Sequence, residues 1–91
     1  MRPTVYLLHF VRPLHHARHY LGYTDDLESR LRRHEAGDGA KLIAAVNRAG
    51  IPFVLARTWE GDRQLERRLK RRKGAPRLCP ICRAEAVKGG A

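Results

Sequence analysis

An apolar segment near the N-terminus, residues 4–10, carries large side chains at both odd and even positions. A strand that is apolar on both faces needs cover on both sides, so this segment predicts the central strand of a small sheet. A connection that contains Pro13, residues 11–17, separates it from a second predicted strand, residues 18–23, which holds two tyrosines and a histidine. Because the connection is short, the two strands should be antiparallel neighbours.

Three helices and one further strand are expected after this pair. Periodicity and glycine or proline stop signals predict helices over residues 25–36, 41–49 and 62–73, and a strand over residues 53–59. Thr24 or Asp25 can cap the first helix. The predicted order is β-β-α-α-β-α. This order indicates a small α/β (α+β) fold in which a three-stranded antiparallel sheet is flanked by helices.

The length and charge of the chain limit its class. Its 91 residues predict one small domain over residues 1–76, followed by a tail over residues 77–91 whose Ala/Gly-rich end should be mobile. Nineteen Lys and Arg against nine Asp and Glu give a formal net charge of +10, concentrated on two predicted helices. This favours a nucleic acid as partner. No run of about 18 apolar residues predicts a membrane span. No signal-peptide cleavage site is seen, so a cytoplasmic location is expected.

The arginines of the first predicted helix differ in where they point. At about 100° per residue, an apolar stripe runs from Leu27 to His34. Arg32 and Arg33 point away from this stripe, towards solvent or a phosphate. Arg30 lies at its edge, about 60° from Leu27. An arginine at that edge either snorkels from the margin of the core or points into a cleft.

The last predicted helix is strongly basic and carries one carboxylate after its first residue, that of Glu66. Glu66 can form an i,i+4 ion pair with Lys70, worth about 0.3–0.5 kcal/mol. Alternatively, it is a hard oxygen ligand for Mg²⁺, which binds proteins through one or two carboxylates together with substrate phosphates. Spacing alone leaves both interpretations open.

Taken together, these residues resemble the GIY-YIG nuclease superfamily over about residues 3–74. The first motif is represented by residues 4–6 (TVY), in which a threonine replaces the glycine, and the second by residues 20–22 (YLG). Residues 22–34 look like the small stand-alone bacterial members. Residues 65–70 are similar to the segment that carries the metal-binding glutamate of the family.

The resemblance implies a metal-dependent endonuclease and assigns roles to single residues. Tyr20 is implied to be the general base that acts on a water, and Tyr6 to position water or phosphate. Arg30 would stabilise charge on the scissile phosphate, and Glu66 would hold one Mg²⁺ or Mn²⁺ ion. The residues assigned to substrate binding are Tyr23, His34, Arg32, Arg33, Lys41, Lys70 and Lys73.

The implied partner is DNA, branched or nicked, in repair or recombination. With no fused DNA-binding domain, specificity would come from the shape of the DNA or from a partner protein, because phosphate contacts position but do not specify. The protein itself would be a monomer or a weak dimer. Two alternatives stay open. One is a catalytically weak nucleic-acid-binding module of the same fold, and the other is an adaptor whose tail recruits a larger repair complex.

The two cysteines, Cys79 and Cys82, form a C-x-x-C pair in the predicted tail. Such a pair supplies two of the four ligands of a structural zinc ion. No second pair exists, so the sequence favours a redox or incidental pair over zinc. Histidines could complete a zinc site only if the tail folded back onto the domain, and a tail-swapped dimer that shares zinc is a further alternative. His19 should point to the opposite face of its strand from Tyr20.

Overall fold

The computed structural model describes residues 2–71 and 75–89, with side chains for residues 2–71 and 77–84. Within these ranges no helix has the length and apolar content needed to cross a bilayer. The fold is a small α+β arrangement with an antiparallel sheet, as predicted. Its elements are β1 (Thr4–Leu14), β2 (Ala17–Thr24), α1 (Leu27–Glu35), α2 (Lys41–Arg48), β3 (Phe53–Glu60), α3 (Arg63–Arg71), α4 (Ala75–Leu78) and α5 (Pro80–Gly89).

The sheet has three strands in the order β2-β1-β3, so the apolar first strand is central, which confirms the prediction. The hairpin is longer than the sequence indicated. Its last pair is Leu14 with Ala17, and the predicted loop over residues 11–17 reduces to a tight turn. His15 takes a positive φ of 54° in this turn. The interpretation of residues 11–17 as loop was therefore wrong, because β1 continues to Leu14 across an irregularity in the register after His9.

Side chains of β1 alternate between two faces of the sheet. Tyr6, Leu8 and Phe10 lie on one face, which we call the tyrosine face, and belong to a buried cluster with residues of α2. His9 lies on the other, which we call the histidine face. It pairs there with His19 of β2. Because β1 is covered on both faces, residues 5–10 are all buried.

Two acidic residues begin helices. Asp26 caps α1, since its side chain accepts a hydrogen bond from the Ser29 amide at 3.2 Å. The predicted caps, Thr24 and Asp25, are therefore wrong by one or two positions. The Thr24 hydroxyl instead accepts from the Asp26 amide at 3.1 Å. Asp62 accepts from the amide of Gln64 at 3.0 Å at the start of α3.

The C-terminal segment packs against the sheet, which the sequence did not indicate. α4 and α5 are helical, and Cys79 between them is fully buried. The carbonyl of Leu78 accepts a hydrogen bond from Arg57 of β3 at 3.4 Å. Burial of Cys79 against the sheet is a long-range contact that composition does not reveal.

Candidate active site and metal-ligand cluster

Three aromatic side chains from three elements meet on the tyrosine face. The Tyr6 hydroxyl lies 2.7 Å from Nε2 of His34, which belongs to α1. The ring centroids of Tyr6 and Tyr20 are 6.1 Å apart, and those of Tyr20 and His34 are 5.5 Å apart. Tyr6 and His34 are completely buried, whereas Tyr20 is half-buried. Tyr20 is therefore the member of the trio that solvent reaches.

Gly22 makes this approach of the two tyrosines sterically feasible. It lies directly opposite Tyr6 in the β1–β2 register. A Cβ atom at Gly22 would lie 2.6 Å from the Tyr6 hydroxyl oxygen and 2.8 Å from Cε2 of Tyr20. Such distances are far below van der Waals contact, so any side chain here would push the rings apart. The glycine of the second motif thus has a packing reason in this chain.

The buried pair is electrically neutral near pH 7. Burial raises the pKa of Tyr6 well above its usual range, and Tyr20 adds to the increase while Arg30 opposes it. Burial also lowers the pKa of His34, and the positive charges of Arg30 and Arg33 lower it further. Tyr6 therefore keeps its proton and His34 stays uncharged.

One atom of His34 has no partner. Its Nδ1 is buried and unpaired among the described residues. It faces Gly39, where a Cβ atom would lie 3.5 Å from it. Buried acceptors without a partner are tolerated more readily than buried N–H groups. This favours the tautomer in which Nε2–H of His34 donates to the Tyr6 oxygen, and in which the Tyr6 proton is free to point elsewhere.

The arginines of α1 lie as the helix geometry predicted. Arg32 and Arg33 are exposed, and Arg32 pairs with Glu28 at 3.5 Å. Arg30 is half-buried and close enough to Tyr6 and His34 to affect the pKa of each. The structure thus brings Arg30 close to the aromatic trio and leaves Arg32 and Arg33 at the surface.

Glu66 forms the ion pair with Lys70 that its spacing allowed, at 3.9 Å. Only 19% of the Glu66 side chain is exposed, against 83% for Glu28, which forms a similar i,i+4 pair in α1. A carboxylate this well covered on a basic helix is unusual, because acidic side chains prefer full hydration. The ion pair and a metal-binding role are compatible, since a cation could take the place of Lys70.

The other predicted substrate-binding residues are dispersed. Tyr23 lies on the histidine face, 5.5 Å from the Arg63 guanidinium, so it does not join the tyrosine trio. Lys41 is exposed and lines an open depression of about 340 Å³ beside α1. His34 is buried, so solvent does not reach it directly. Lys73 lies outside the described residues.

A second group of side chains converges on the histidine face. Nδ1 of His9 lies 3.4 Å from Nε2 of His19 and 3.5 Å from each of the Sγ atoms of Cys79 and Cys82. Sγ of Cys82 is 3.2 Å from Nε2 of His19. All four atoms lie within 4.8 Å of one another, and the group could hold a metal ion. Burial lowers the pKa of His19, and His9 and then Arg18 lower it further.

His19 points to the other face of β2 from Tyr20, which confirms the prediction. Its position beside the cysteines was not predicted. The available signal was the i,i+3 offset of His9 from Tyr6, which puts the two on opposite faces of β1. His9 and His19 then share one face as register partners. The sequence did not show that the C-terminal segment returns to that face. A zinc site with histidine ligands was expected only if it did.

Comparisons with protein-family models, with curated proteins and with solved structures found no match to this chain. What the protein does is therefore inferred from its own residues.

Proposed function

We propose that this protein is a divalent-metal-dependent endonuclease that hydrolyses phosphodiester bonds in DNA, in repair or recombination, in the cytoplasm. The observation that carries the proposal is the meeting of Tyr6, Tyr20 and His34 beside Arg30. Two tyrosines and an arginine are the groups that the resemblance to GIY-YIG nucleases assigns to catalysis. Their convergence from separate elements supports that assignment.

In this proposal Tyr20 accepts the proton of the attacking water, because it is the half-buried tyrosine that water can reach. Tyr6 is a positioning residue. It holds its own proton, and with His34 donating to its oxygen it can donate a hydrogen bond to Tyr20. A donor at this place stabilises the negative charge that a phenolate carries. Arg30 then binds the scissile phosphate through its planar fork.

The metal would be held by Glu66 together with oxygens of the substrate phosphate. Magnesium commonly uses one or two carboxylates and completes its shell with phosphate and water. A single shielded carboxylate among basic residues therefore fits an ion that arrives with its substrate. When bound, such an ion polarises the phosphoryl oxygens and stabilises the leaving oxygen.

The basic surface supplies the DNA contacts. A depression of about 240 Å³ on α3 is lined by Arg67, Arg68 and Arg71 together with Gln64. Arginines grouped in this way bind phosphates without reading bases. The substrate in this proposal is DNA recognised by its shape, such as a branch or a nick, or delivered by a partner protein.

The test is cleavage of linear, nicked and branched DNA with Mg²⁺ or Mn²⁺, by the wild type, Tyr20→Phe and Glu66→Gln. We expect each variant to lose about 100-fold or more in rate, as is typical when a general base or a charge-stabilising group is removed. Glu28→Gln is the matched control. It removes a carboxylate from the same i,i+4 arrangement on another helix, so it should cleave like the wild type. Cleavage that survives both active-site substitutions would contradict the assignment.

A second candidate function is a nucleic-acid-binding module of the same fold without catalysis. It is favoured by the Glu66–Lys70 pair, which already neutralises the carboxylate, and by the full burial of Tyr6. Its signature is salt-sensitive DNA binding with no cleavage in either metal, unchanged by Glu66→Gln.

A further inference from the structure

We propose that His9, His19, Cys79 and Cys82 bind one structural zinc ion that joins the C-terminal segment to the sheet. This site is separate from the proposed nuclease site and does not depend on it. Its ligands come from β1, from β2, from the junction between α4 and α5, and from the first turn of α5.

The spacing of the four ligand atoms matches tetrahedral zinc. Zinc bonds of about 2.0–2.1 Å to nitrogen and about 2.3 Å to sulfur, at tetrahedral angles, place two nitrogens about 3.3 Å apart and a nitrogen and a sulfur about 3.5 Å apart. The nitrogens of His9 and His19 are 3.4 Å apart. Three of the four nitrogen–sulfur distances are 3.5, 3.5 and 3.2 Å. Four of the six separations thus lie close to those of a tetrahedral zinc site, and the other two do not exceed 4.8 Å.

The donor set selects the metal. Two thiolates and two imidazoles suit zinc, whereas magnesium and calcium require oxygen ligands. Four protein ligands also complete a tetrahedron and leave no position for a substrate or a water, which is typical of structural zinc. His9 and Cys79 are almost completely buried, so the ion would be shielded from solvent.

The structure disfavours a redox role for the cysteine pair. Cys79 is fully buried and Cys82 is half-buried. A redox-active C-x-x-C pair needs an accessible thiolate. Two histidine nitrogens lying against the sulfurs have no purpose in an isolated disulfide, but they complete a metal site.

The consequence is a link between distant parts of the chain. The contacts to Cys79 and Cys82 span 63 to 73 residues. A small domain has a limited apolar core, and metal binding supplies folding energy to such chains. The zinc ion would also fix the pairing of His9 with His19, directly behind Tyr20, while leaving the tyrosine face free.

The first experiment is elemental analysis of the full chain, purified without chelators, combined with Co²⁺ substitution. We expect about one zinc per chain and, with cobalt, the intense visible bands and thiolate charge-transfer absorption of a tetrahedral site. Both thiols should become reactive only after chelation. Purified protein that contains a Cys79–Cys82 disulfide, or free reactive thiols and no zinc, would overturn the proposal.

The second experiment compares variants and the oligomeric state. Cys82→Ser and His19→Gln should each lose the metal, whereas His16→Gln, an exposed histidine of the hairpin turn, should keep it. If a variant fails to fold, the cobalt spectrum of the wild type still decides the proposal. The zinc-loaded chain should be a monomer. A dimer that dissociates on chelation would refute a site formed within one chain and indicate exchange of C-terminal segments.

DNA cleavage separates this site from the nuclease proposal. Zinc bound with the expected cobalt spectrum in a protein that cleaves no DNA supports the zinc site while failing the proposed function. Cleavage by a wild-type protein that binds no zinc would support the proposed function and contradict the zinc site.

Discussion

The Tyr6 hydroxyl lies 2.7 Å from Nε2 of His34, and both side chains are completely buried. This hydrogen bond ties the central strand to the first helix beneath Tyr20. Among the described residues, the Tyr6 hydroxyl is the only hydrogen-bond partner of the His34 ring, since Nδ1 is unpaired.

Tyr6→Phe should therefore destabilise the protein more than its small change in volume suggests. Removing the hydroxyl leaves the His34 ring without a hydrogen bond, and a buried polar group left unpaired costs about 1–3 kcal/mol. Urea unfolding measures the change in the free energy of unfolding. Tyr20→Phe is the comparison, because its half-buried hydroxyl can be replaced by water. Equal losses in the two variants would contradict the special role of the Tyr6–His34 pair.

Gly22→Ala should separate the tyrosines. The added methyl group would lie 2.6 Å from the Tyr6 hydroxyl oxygen, and overpacking of this kind costs about 1–3 kcal/mol. Gly50→Ala is a useful contrast. Nothing lies within 4 Å of its Cβ position, so its cost comes from the positive φ of 69° alone. Both variants should be less stable, but only Gly22→Ala should change the near-ultraviolet signal of the tyrosines.

Stability should fall as the pH decreases from neutral. The pKa of His34 is lower in the folded protein than the ordinary value of 6.5, because burial opposes its charge. Below pH 6.5 the unfolded chain therefore binds a proton that the folded chain does not, and unfolding becomes more favourable. The contribution is complete above the unfolded pKa and is lost as the pH falls through the folded one. His34→Gln should show a shallower dependence between neutral pH and pH 5. An unchanged slope would refute the assignment to His34.

Removal of one arginine from α3 should reduce the salt dependence of DNA binding. Arg71→Ala eliminates one of the charges around the depression on that helix. If Arg71 contacts a phosphate, the slope of log K against log salt should decrease by about 0.9. Arg2→Ala is the control, because Arg2 is already paired with Glu60 at 3.0 Å. Fluorescence anisotropy over a series of salt concentrations measures both slopes.

Asp26→Ala should cost about 1 kcal/mol through loss of the α1 N-cap. Asp25→Ala removes the same charge one position earlier, where the structure places an exposed side chain and not the cap. It should leave the thermal midpoint nearly unchanged. A larger loss for Asp25 would mean that α1 begins earlier in solution.

The local periodicity of the sequence was enough to predict the central strand and the direction of the α1 arginines. Residues 4–10 are largely apolar on both faces, as a strand covered on both sides requires, and β1 is indeed central. Helix geometry separated Arg30 from Arg32 and Arg33, because a turn of helix fixes which residues share a side. The cap of α1 was misplaced because Thr24, Asp25 and Asp26 all have suitable side chains, and backbone geometry alone selects among them.

The sequence by itself thus determined the three strands, the helices α1 to α3 and the side of each strand on which Tyr6, Tyr20 and His9 lie, since these depend on neighbours along the chain. Only the tertiary structure decided that His34 hydrogen-bonds with Tyr6, and that Cys79 and Cys82 meet His9 and His19. Those contacts join residues 28 to 73 positions apart. They depend on how the chain reverses and which face it covers, and no local pattern encodes that choice.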